Sequence, residues 1–282
     1  MQIKQILNNN AVTAVDEAGQ EIILMGKGIG WQSKKGDMAD QTKIEKVFRM
    51  ETASQQENFK NLLLEVKPEV VAVSMMIIDY AKEQLKCQLN KNVYLTLTDH
   101  ISFAIERQGM GCNFSGPMAY DIRRFYPAEY RIGQKALNFI LVRLHSKLPE
   151  EEAAAIALHI INAEYERDMS ETMGITEITS KALDLVRYTF MLKFDEEDLN
   201  YQRFITHLRF FAQRILEGKM LDSGQEELFK GMAVQYPKQV KTAEKICHVT
   251  AQRYNVEIPT EEVVFLAVHI VRLTNKSKIK GE

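Results

Sequence analysis

Two stretches of this chain repeat each other, and this repeat constrains the fold more than any other feature. Residues 148–160 and 258–270 lie 110 positions apart and share a proline, two glutamates, an alanine, a histidine and an isoleucine at matching places. At a spacing of 107, three residues of the first copy match three of the second: His100, Phe103 and Arg107 against His207, Phe210 and Arg214. The two spacings differ by a short loop insertion. Because similar sequences fold alike, we predict two copies of one domain, at residues 62–170 and 171–282.

Both copies show the spacing of apolar residues that is typical of α-helices. Apolar residues between positions 59 and 66 fall on one helical face, and a second helix is expected at Glu69–Leu85. The repeated residues Phe103 and Phe210 are expected to pack in the cores. Residues 169–175 lack a clear period, so we predict a linker there. Each copy is therefore predicted to be an all-α helical bundle.

The first 55 residues follow a different pattern, that of short β-strands separated by turns. The strand-like segments are residues 3–7, 11–15, 21–25 and 44–48. This pattern predicts a small antiparallel sheet. Because about fifty residues bury little apolar surface alone, we expect the module to dimerise. The predicted fold class is a multidomain chain, in which a small antiparallel β-sheet domain at residues 1–55 precedes two homologous helical bundles.

The bulk properties of the chain exclude several classes of protein. A net charge of −2 gives no general attraction to polyanions, and 45% hydrophobic residues are typical of a globular protein. No apolar run approaches the ~20 residues that span a bilayer, and the amino-terminal segment lacks the apolar core of a signal peptide. Cys87, Cys112 and Cys247 are widely spaced, which disfavours disulfides and a thiolate metal site. We therefore expect a cytoplasmic protein.

Four histidines form two equivalent pairs: His100 with His159, and His207 with His269. A single histidine among apolar residues is usually a hydrogen-bonded core residue, but packing alone does not explain two matching pairs. A metal site is disfavoured, because Asp99 precedes the first histidine of one copy whereas Thr206 takes that place in the other. A catalytic triad is disfavoured because no serine or cysteine repeats with the histidines. Acceptance of a phosphoryl group, which adds charge to a neutral ring, remains.

Two further repeated features have a functional and a structural explanation. Arg107 and Arg214 lie seven residues after the first histidine of each pair, about two helical turns along the same face. Each guanidinium could receive a phosphate, although a solvated surface arginine explains the position equally well. The acidic residues that follow Pro149 and Pro259 suit the first turn of a helix, where the helix dipole favours negative charge.

The strand module carries side chains suited to nucleic acid, although its seven basic and six acidic residues within positions 1–50 give no strong charge. Asparagine amides at positions 8–10 can read base edges, and Trp31 can stack on an unpaired base. Glycines at positions 26, 28 and 30 let the backbone approach a ligand, but the dinucleotide-binding fingerprint is incomplete. Each feature also has a structural explanation, since asparagines form turns and tryptophan is often a core residue.

Several sequence segments resemble those of a known family. In the strand module they are Ile6–Val12 (ILNNNAV), Met25–Gln32 (MGKGIGWQ) and Ile44–Phe48 (IEKVF). In the repeats they are Leu97–His100, Thr206–Leu208 and the two Ala-x-His-Ile motifs. Together they resemble the BglG/SacY family of transcriptional antiterminators over essentially the whole chain. The family's order is a co-antiterminator RNA-binding domain followed by two phosphotransferase-system regulation domains.

The resemblance implies a function for each module. The strand module would bind, as a homodimer, an RNA hairpin in an mRNA leader and prevent formation of an overlapping terminator, so that a sugar-utilisation operon is transcribed. The RNA contacts would fall on four residues: Asn10, Gly26, Lys27 and Trp31. The four repeated histidines would be phosphorylation sites.

The resemblance also implies opposite roles for the two repeats. The sugar-specific enzyme II of the phosphotransferase system would inhibit through the first repeat when its sugar is absent. HPr would activate through His207 and His269 when preferred sugars are scarce. The chain would receive phosphoryl groups without being an enzyme, and it would need no cofactor and no metal.

Two other functions stay open from the residues themselves. A DNA-binding activator can carry the same regulation domains, but the strand-like residues 1–50 offer no helix-turn-helix. A helical metal-dependent hydrolase could use the histidine pairs, and stoichiometric metal in the purified protein would identify it.

Overall fold

The computed structural model describes residues 1–49, 52–110, 118–221 and 226–275, and it confirms the predicted fold class of a small antiparallel sheet followed by helices. The chain divides into two compact units, residues 1–167 and 168–282. The strands are β1 (Gln2–Asn8), β2 (Ala11–Val15), β3 (Glu21–Met25) and β4 (Lys46–Phe48). The helices of the first unit are α1 (Ala53–Glu65), α2 (Pro68–Leu85), α3 (Val93–Gly109), α4 (Ala119–Phe125), α5 (Pro127–Leu144) and α6 (Glu152–Glu164). Those of the second are α7 (Met169–Phe190), α8 (Leu199–Glu217), α9 (Glu226–Gln235), α10 (Pro237–Tyr254) and α11 (Thr260–Asn275).

The four strands form an antiparallel meander in the order β1-β2-β3-β4. Both faces of this sheet are covered. Ile22 and Leu24 point into a core within the strand module, whereas Ile23 and Met25 point into a core shared with the helices that follow. A strand that is buried on both faces has no polar alternation, which explains the continuous apolar run in β3.

Helices α1 and α3 supply part of the cover for the sheet. Phe48 of β4 meets Phe59 of α1 edge-on, with ring centroids 5.2 Å apart, and meets Tyr94 of α3 at 4.7 Å. Asn8 Nδ2 donates a hydrogen bond of 2.9 Å to the carbonyl oxygen of Leu63 in α1. The chain's own helices therefore bury apolar surface that so small a sheet cannot bury alone. Dimerisation of the module stays a prediction.

Within the described residues, the internal repeat is visible as two runs of five helices, α2–α6 and α7–α11. The most regular match is between α5 and α10, because each begins at a proline that follows a tyrosine. Tyr126 and Tyr236 have the same backbone angles, φ −133° and ψ 57°. Each helix is followed by a residue in the left-handed region, His145 in one and Asn255 in the other. The same local signals thus start and end the same helix twice.

The prediction of a linker at residues 169–175 is wrong, because these residues form the first turns of α7. The side chain of Asp168 caps this helix by accepting the backbone N–H of Glu171 at 2.7 Å. Its buried face contains threonines that hide the apolar period, and their hydroxyls are satisfied within the helix. Thr176 and Thr179, for example, donate to carbonyl oxygens four residues earlier at 2.8 and 2.7 Å.

None of the helices in the described parts of the chain is long and apolar enough to cross a membrane. Cys87 and Cys247 are free thiols, whereas Cys112 lies outside the described residues. Burial raises the pKa of the Cys247 thiol to about 12, so this thiol is protonated at neutral pH.

We expect Phe59→Ala to destabilise the first unit strongly, because this ring is fully buried against Phe48. Deleting a buried phenylalanine side chain lowers the free energy of unfolding by about 3–5 kcal/mol. Urea denaturation followed by circular dichroism measures the change. Leu64→Ala is the control on the same helix, because Leu64 is half exposed and its loss should cost below about 0.5 kcal/mol. Equal effects of the two substitutions would contradict the packing of α1.

Candidate functional sites

The structure brings the first predicted histidine pair together. His100 lies on α3 and His159 on α6, and their ring centroids are 4.9 Å apart with the planes tilted by 42°. Both side chains are half-buried. The two rings are close enough for one incoming group to reach either of them.

The second predicted pair is also in contact, and its rings lie closer. His207 of α8 stacks on His269 of α11, with centroids 3.6 Å apart and planes only 19° from parallel. The ring of Phe265, one turn before His269, packs edge-on against both rings at 5.5 and 4.8 Å. The two repeats therefore hold equivalent histidines in different ring geometries.

Three of the four rings have a lowered pKa. Burial, with a contribution from the charge of His100, lowers the pKa of His159 to about 3. Burial, with contributions from His207 and Arg272, lowers the pKa of His269 to about 4. Burial lowers the pKa of His207 as well. These rings are neutral at pH 7 and keep the lone pair that a phosphoryl acceptor needs.

Each repeat has a buried carboxylate on the helix that carries its second histidine, and sequence reasoning missed its role. Glu152 and Glu262 lie in the first turns of α6 and α11 and are at most 2% exposed. Acids in a first helical turn suit the helix dipole, but a fully buried charge also needs direct partners. The signal was present in the sequence, since both glutamates recur at the spacing of 110 that relates His159 to His269.

The partners of the two carboxylates are the repeated arginines. Arg107 pairs with Glu152, and Arg214 pairs with Glu262 through Nε and Nη2 at 2.7 and 2.6 Å, a bidentate arrangement. Both arginine side chains are less than one fifth exposed, so neither is a solvated surface residue. These ion pairs tie α3 to α6 and α8 to α11. A contact with phosphate stays a prediction.

No three histidine, cysteine, aspartate or glutamate side chains come together to form a possible metal site within the described ranges. Glu152, the carboxylate that contacts His100, is paired with Arg107, and Glu262 of the second repeat is paired with Arg214. This donor set differs from the three or four ligands that a zinc site requires.

The expectation that Phe103 and Phe210 pack in the cores is wrong, because they are 58% and 52% exposed. Each lies one turn after the first histidine of its pair. The guanidinium of Arg107 lies over the Phe103 ring, 5.2 Å from its centroid. Self-alignment identified the two residues as equivalent, but it does not reveal whether the face they share is covered.

In the strand module, hydrogen bonds orient Asn10 and leave its amide nitrogen available. Asn10 Oδ1 accepts the backbone N–H of Gly28 at 2.9 Å, and its carbonyl oxygen accepts that of Gly26 at 3.0 Å. Its Nδ2 has no hydrogen-bond partner among the described residues. Lys27 is exposed, and Trp31 is 60% exposed, so Trp31 is not a core residue.

Gly26 has a structural reason to be glycine that requires no ligand. A Cβ atom at this position would lie 1.7 Å from the carbonyl oxygen of Lys43. Any side chain would therefore push apart the loop after β3 and the segment that leads into β4.

Three of the four predicted RNA contacts line one cleft. Asn10, Gly26 and Lys27 lie on the strand module, and α2 supplies much of the remaining lining of this cleft of about 770 Å³. Asp79 of α2 accepts Lys46 Nζ at 2.5 Å beside the same cleft. Trp31 does not line it.

Comparison with protein families assigns a domain type to each part of the chain. Residues 1–57 match the model of the CAT RNA-binding domain. Residues 75–163 and 180–273 match the model of the PRD domain.

Relatives and a solved structure agree with this assignment. The chain is 38% identical over 277 residues to the transcription antiterminator LicT of Bacillus subtilis (strain 168), with 98% of this chain and all of that protein covered. It is also 38% identical to the beta-glucoside operon antiterminator of Dickeya chrysanthemi, with 98% of each chain covered. The crystal structure of GlcT CAT-PRDI matches 58% of this chain and 97% of its own, with a TM-score of 0.53 and 34% identity.

We expect His159 to make the first unit less stable in mild acid. Its pKa is about 3 in the folded protein against an ordinary 6.5, so the unfolded chain takes up a proton first as the pH falls. Stability is then lost below pH 6.5, and the loss from pH 7 to pH 5 is about 2 kcal/mol. Urea denaturation at several pH values should show this loss in the unaltered protein and a smaller one in His159→Gln. The same pH dependence in both proteins would contradict a neutral, buried ring.

Proposed function

The chain belongs to the family of transcription antiterminators that join a CAT RNA-binding domain to PRD domains, and we propose that it binds an mRNA leader hairpin as a homodimer under the control of histidine phosphorylation. It is a regulator and not an enzyme. The matches to the RNA-binding and regulatory domain models and to an antiterminator that covers 98% of the chain indicate this. We propose three domains, at residues 1–55, 62–170 and 171–282, and action in the cytoplasm.

The observation that carries the control mechanism is the contact between two histidine rings in each repeat. A phosphoryl group adds about 1.5–2 negative charges to the ring that accepts it. The rings lie 4.9 Å apart in one pair and 3.6 Å apart in the other, so charge on one ring acts directly on its neighbour. Phosphorylation therefore changes the electrostatics of the contact between two helices.

The proposed RNA contacts are Asn10, Gly26, Lys27 and Trp31. Their support is the free amide nitrogen of Asn10, the exposed ammonium of Lys27 and the exposed ring of Trp31. An amide donor, a cation and a stacking surface are the groups that unpaired bases and phosphates require. The tight backbone at Gly26 fixes the loop that presents Lys27 and Trp31.

The two repeats are proposed to receive opposite signals. The sugar-specific enzyme II acts through His100 and His159 to inhibit, and HPr acts through His207 and His269 to activate. The sequence resemblance supports these signs, and the different ring geometries of the two pairs are compatible with different partners.

Substitution of the proposed RNA contacts should weaken binding of the leader hairpin of the chain's own operon in a gel-shift titration. For Trp31→Ala we expect a loss of about 1–3 kcal/mol, because one base loses its stacking surface. For Lys27→Ala we expect the slope of log affinity against log salt concentration to fall by about one, because one phosphate contact is lost. Met38→Ala is the control, because Met38 is an exposed side chain of the same module. Unchanged affinity in both Trp31→Ala and Lys27→Ala would refute this RNA face.

Substitution of the histidines should separate the two signals in a transcription reporter. His207→Ala and His269→Ala should abolish HPr-dependent activation, because the acceptor nitrogens are lost. His100→Ala should weaken repression in the absence of the sugar. His248→Ala is the control, since His248 is exposed on α10 and has no counterpart in the other repeat. Reporter activity that stays unchanged in all three variants would rule out the proposed switch.

A further inference from the structure

Glu152 makes two different contacts with its two carboxylate oxygens. Oε1 accepts the guanidinium of Arg107, and Oε2 lies 3.0 Å from Nε2 of His100. The carboxylate is 2% exposed, so it is largely shielded from water that could replace these partners. His100 is thus held by a fixed and buried acceptor.

This contact determines which nitrogen of His100 carries the proton. Burial raises the pKa of Glu152, but the hydrogen bond with His100 and the guanidinium of Arg107 lower it by more, so the net shift of this pKa is downward. An ionised carboxylate only accepts hydrogen bonds, so Nε2 must donate. In a neutral ring the lone pair then lies on Nδ1, which has no hydrogen-bond partner among the described residues.

The second repeat lacks this arrangement, although it has the equivalent glutamate. Both oxygens of Glu262 are occupied by Arg214, and Oε1 also accepts the backbone N–H of Leu221 at 3.0 Å. No hydrogen bond joins Glu262 to His207 in the described part of the chain. His207 instead stacks on His269. Both copies therefore have the carboxylate, but among the described residues only in the first copy does it form a hydrogen bond with a histidine.

We propose that Glu152 is a positioning residue that fixes His100 as the Nε2–H tautomer and so makes Nδ1 the phosphoryl acceptor of the first repeat. The inference rests on the proposed function, in which His100 is phosphorylated, and adds the atom that is modified and the residue that selects it.

The transfer balances with a phosphohistidine of a carrier protein as donor. The Nδ1 lone pair of His100 forms the new P–N bond, while the old P–N bond breaks and its electron pair returns to the donor ring. The proton on Nε2 stays between the ring and Glu152. The phosphorylated ring is then formally cationic, and the adjacent carboxylate stabilises that charge.

The experiment uses the full chain with His159→Ala, His207→Ala and His269→Ala, so that His100 is the proposed acceptor that remains. The chain is phosphorylated with phosphorylated HPr and the enzyme II of its own operon, and the site is mapped by mass spectrometry. Phosphorus NMR distinguishes the Nδ1 from the Nε2 phosphoryl isomer. We expect the Nδ1 isomer alone.

Glu152→Gln in the same background tests the positioning role. An amide can donate as well as accept, so we expect both isomers and a transfer rate lower by at least about tenfold. Glu151→Gln is the matched control, because Glu151 is the exposed neighbour in sequence and should leave isomer and rate unchanged. Long-range proton–nitrogen NMR of unphosphorylated His100 should show the Nε2–H tautomer, and this measurement requires neither transfer nor a Glu152 variant.

The outcomes separate the inference from the function on which it rests. An Nε2 isomer, or an Nδ1–H tautomer in the unphosphorylated ring, overturns the role of Glu152 and leaves phosphorylation intact. Absence of phosphate on His100 overturns the proposed function of this histidine, and the tautomer measurement still decides what Glu152 does. An Nδ1 isomer that persists unchanged in Glu152→Gln also overturns the inference.

Discussion

The arrangement of each helical repeat depends on one buried ion pair, Arg107 with Glu152 in the first and Arg214 with Glu262 in the second. A carboxylate that is at most 2% exposed is costly unless a cation satisfies it, and removing one partner leaves an uncompensated charge in the interior. The pair therefore fixes how the arginine helix lies against the glutamate helix. Because His100 precedes Arg107 by two helical turns, that constraint also fixes where the first histidine of each pair meets the second.

The parts of this arrangement that a sequence reveals are those that depend on periodicity and on repetition. The strand run in β3 and the helix that starts at Pro68 followed from local patterns, and the pairing of His100 with His159 followed from the repeat. The start of α7 did not, because buried threonines that satisfy their own hydroxyls read as polar residues. Asp168, which caps this helix, indicates its start, but without a clear apolar period in the residues that follow the helix was not predicted.

The burial of individual residues was harder to predict than the elements that carry them. Phe103 and Phe210 are equivalent aromatic residues in helices, yet both are exposed, because burial depends on which helix packs against that face. Glu152 departs from expectation in the other direction. An acid in a first helical turn is usually solvated, whereas this one is buried against His100. Such contacts join residues far apart in the chain, so no local pattern encodes them.

If the histidines are phosphorylated as proposed, the buried ion pairs also limit which partners the phosphoryl group can contact. Arg107 and Arg214 are each already neutralised by a carboxylate, so neither offers surplus positive charge to an incoming dianion, whereas Arg272 supplies a further cation near the second pair. If the phosphate takes Arg107, Glu152 loses its cation in a place where an unpaired charge is costly. If Arg107 stays with Glu152, the new charge must turn towards solvent, away from a neighbouring ring 4.9 Å distant. On the proposed function, either response strains the contact between α3 and α6, where His100 meets His159.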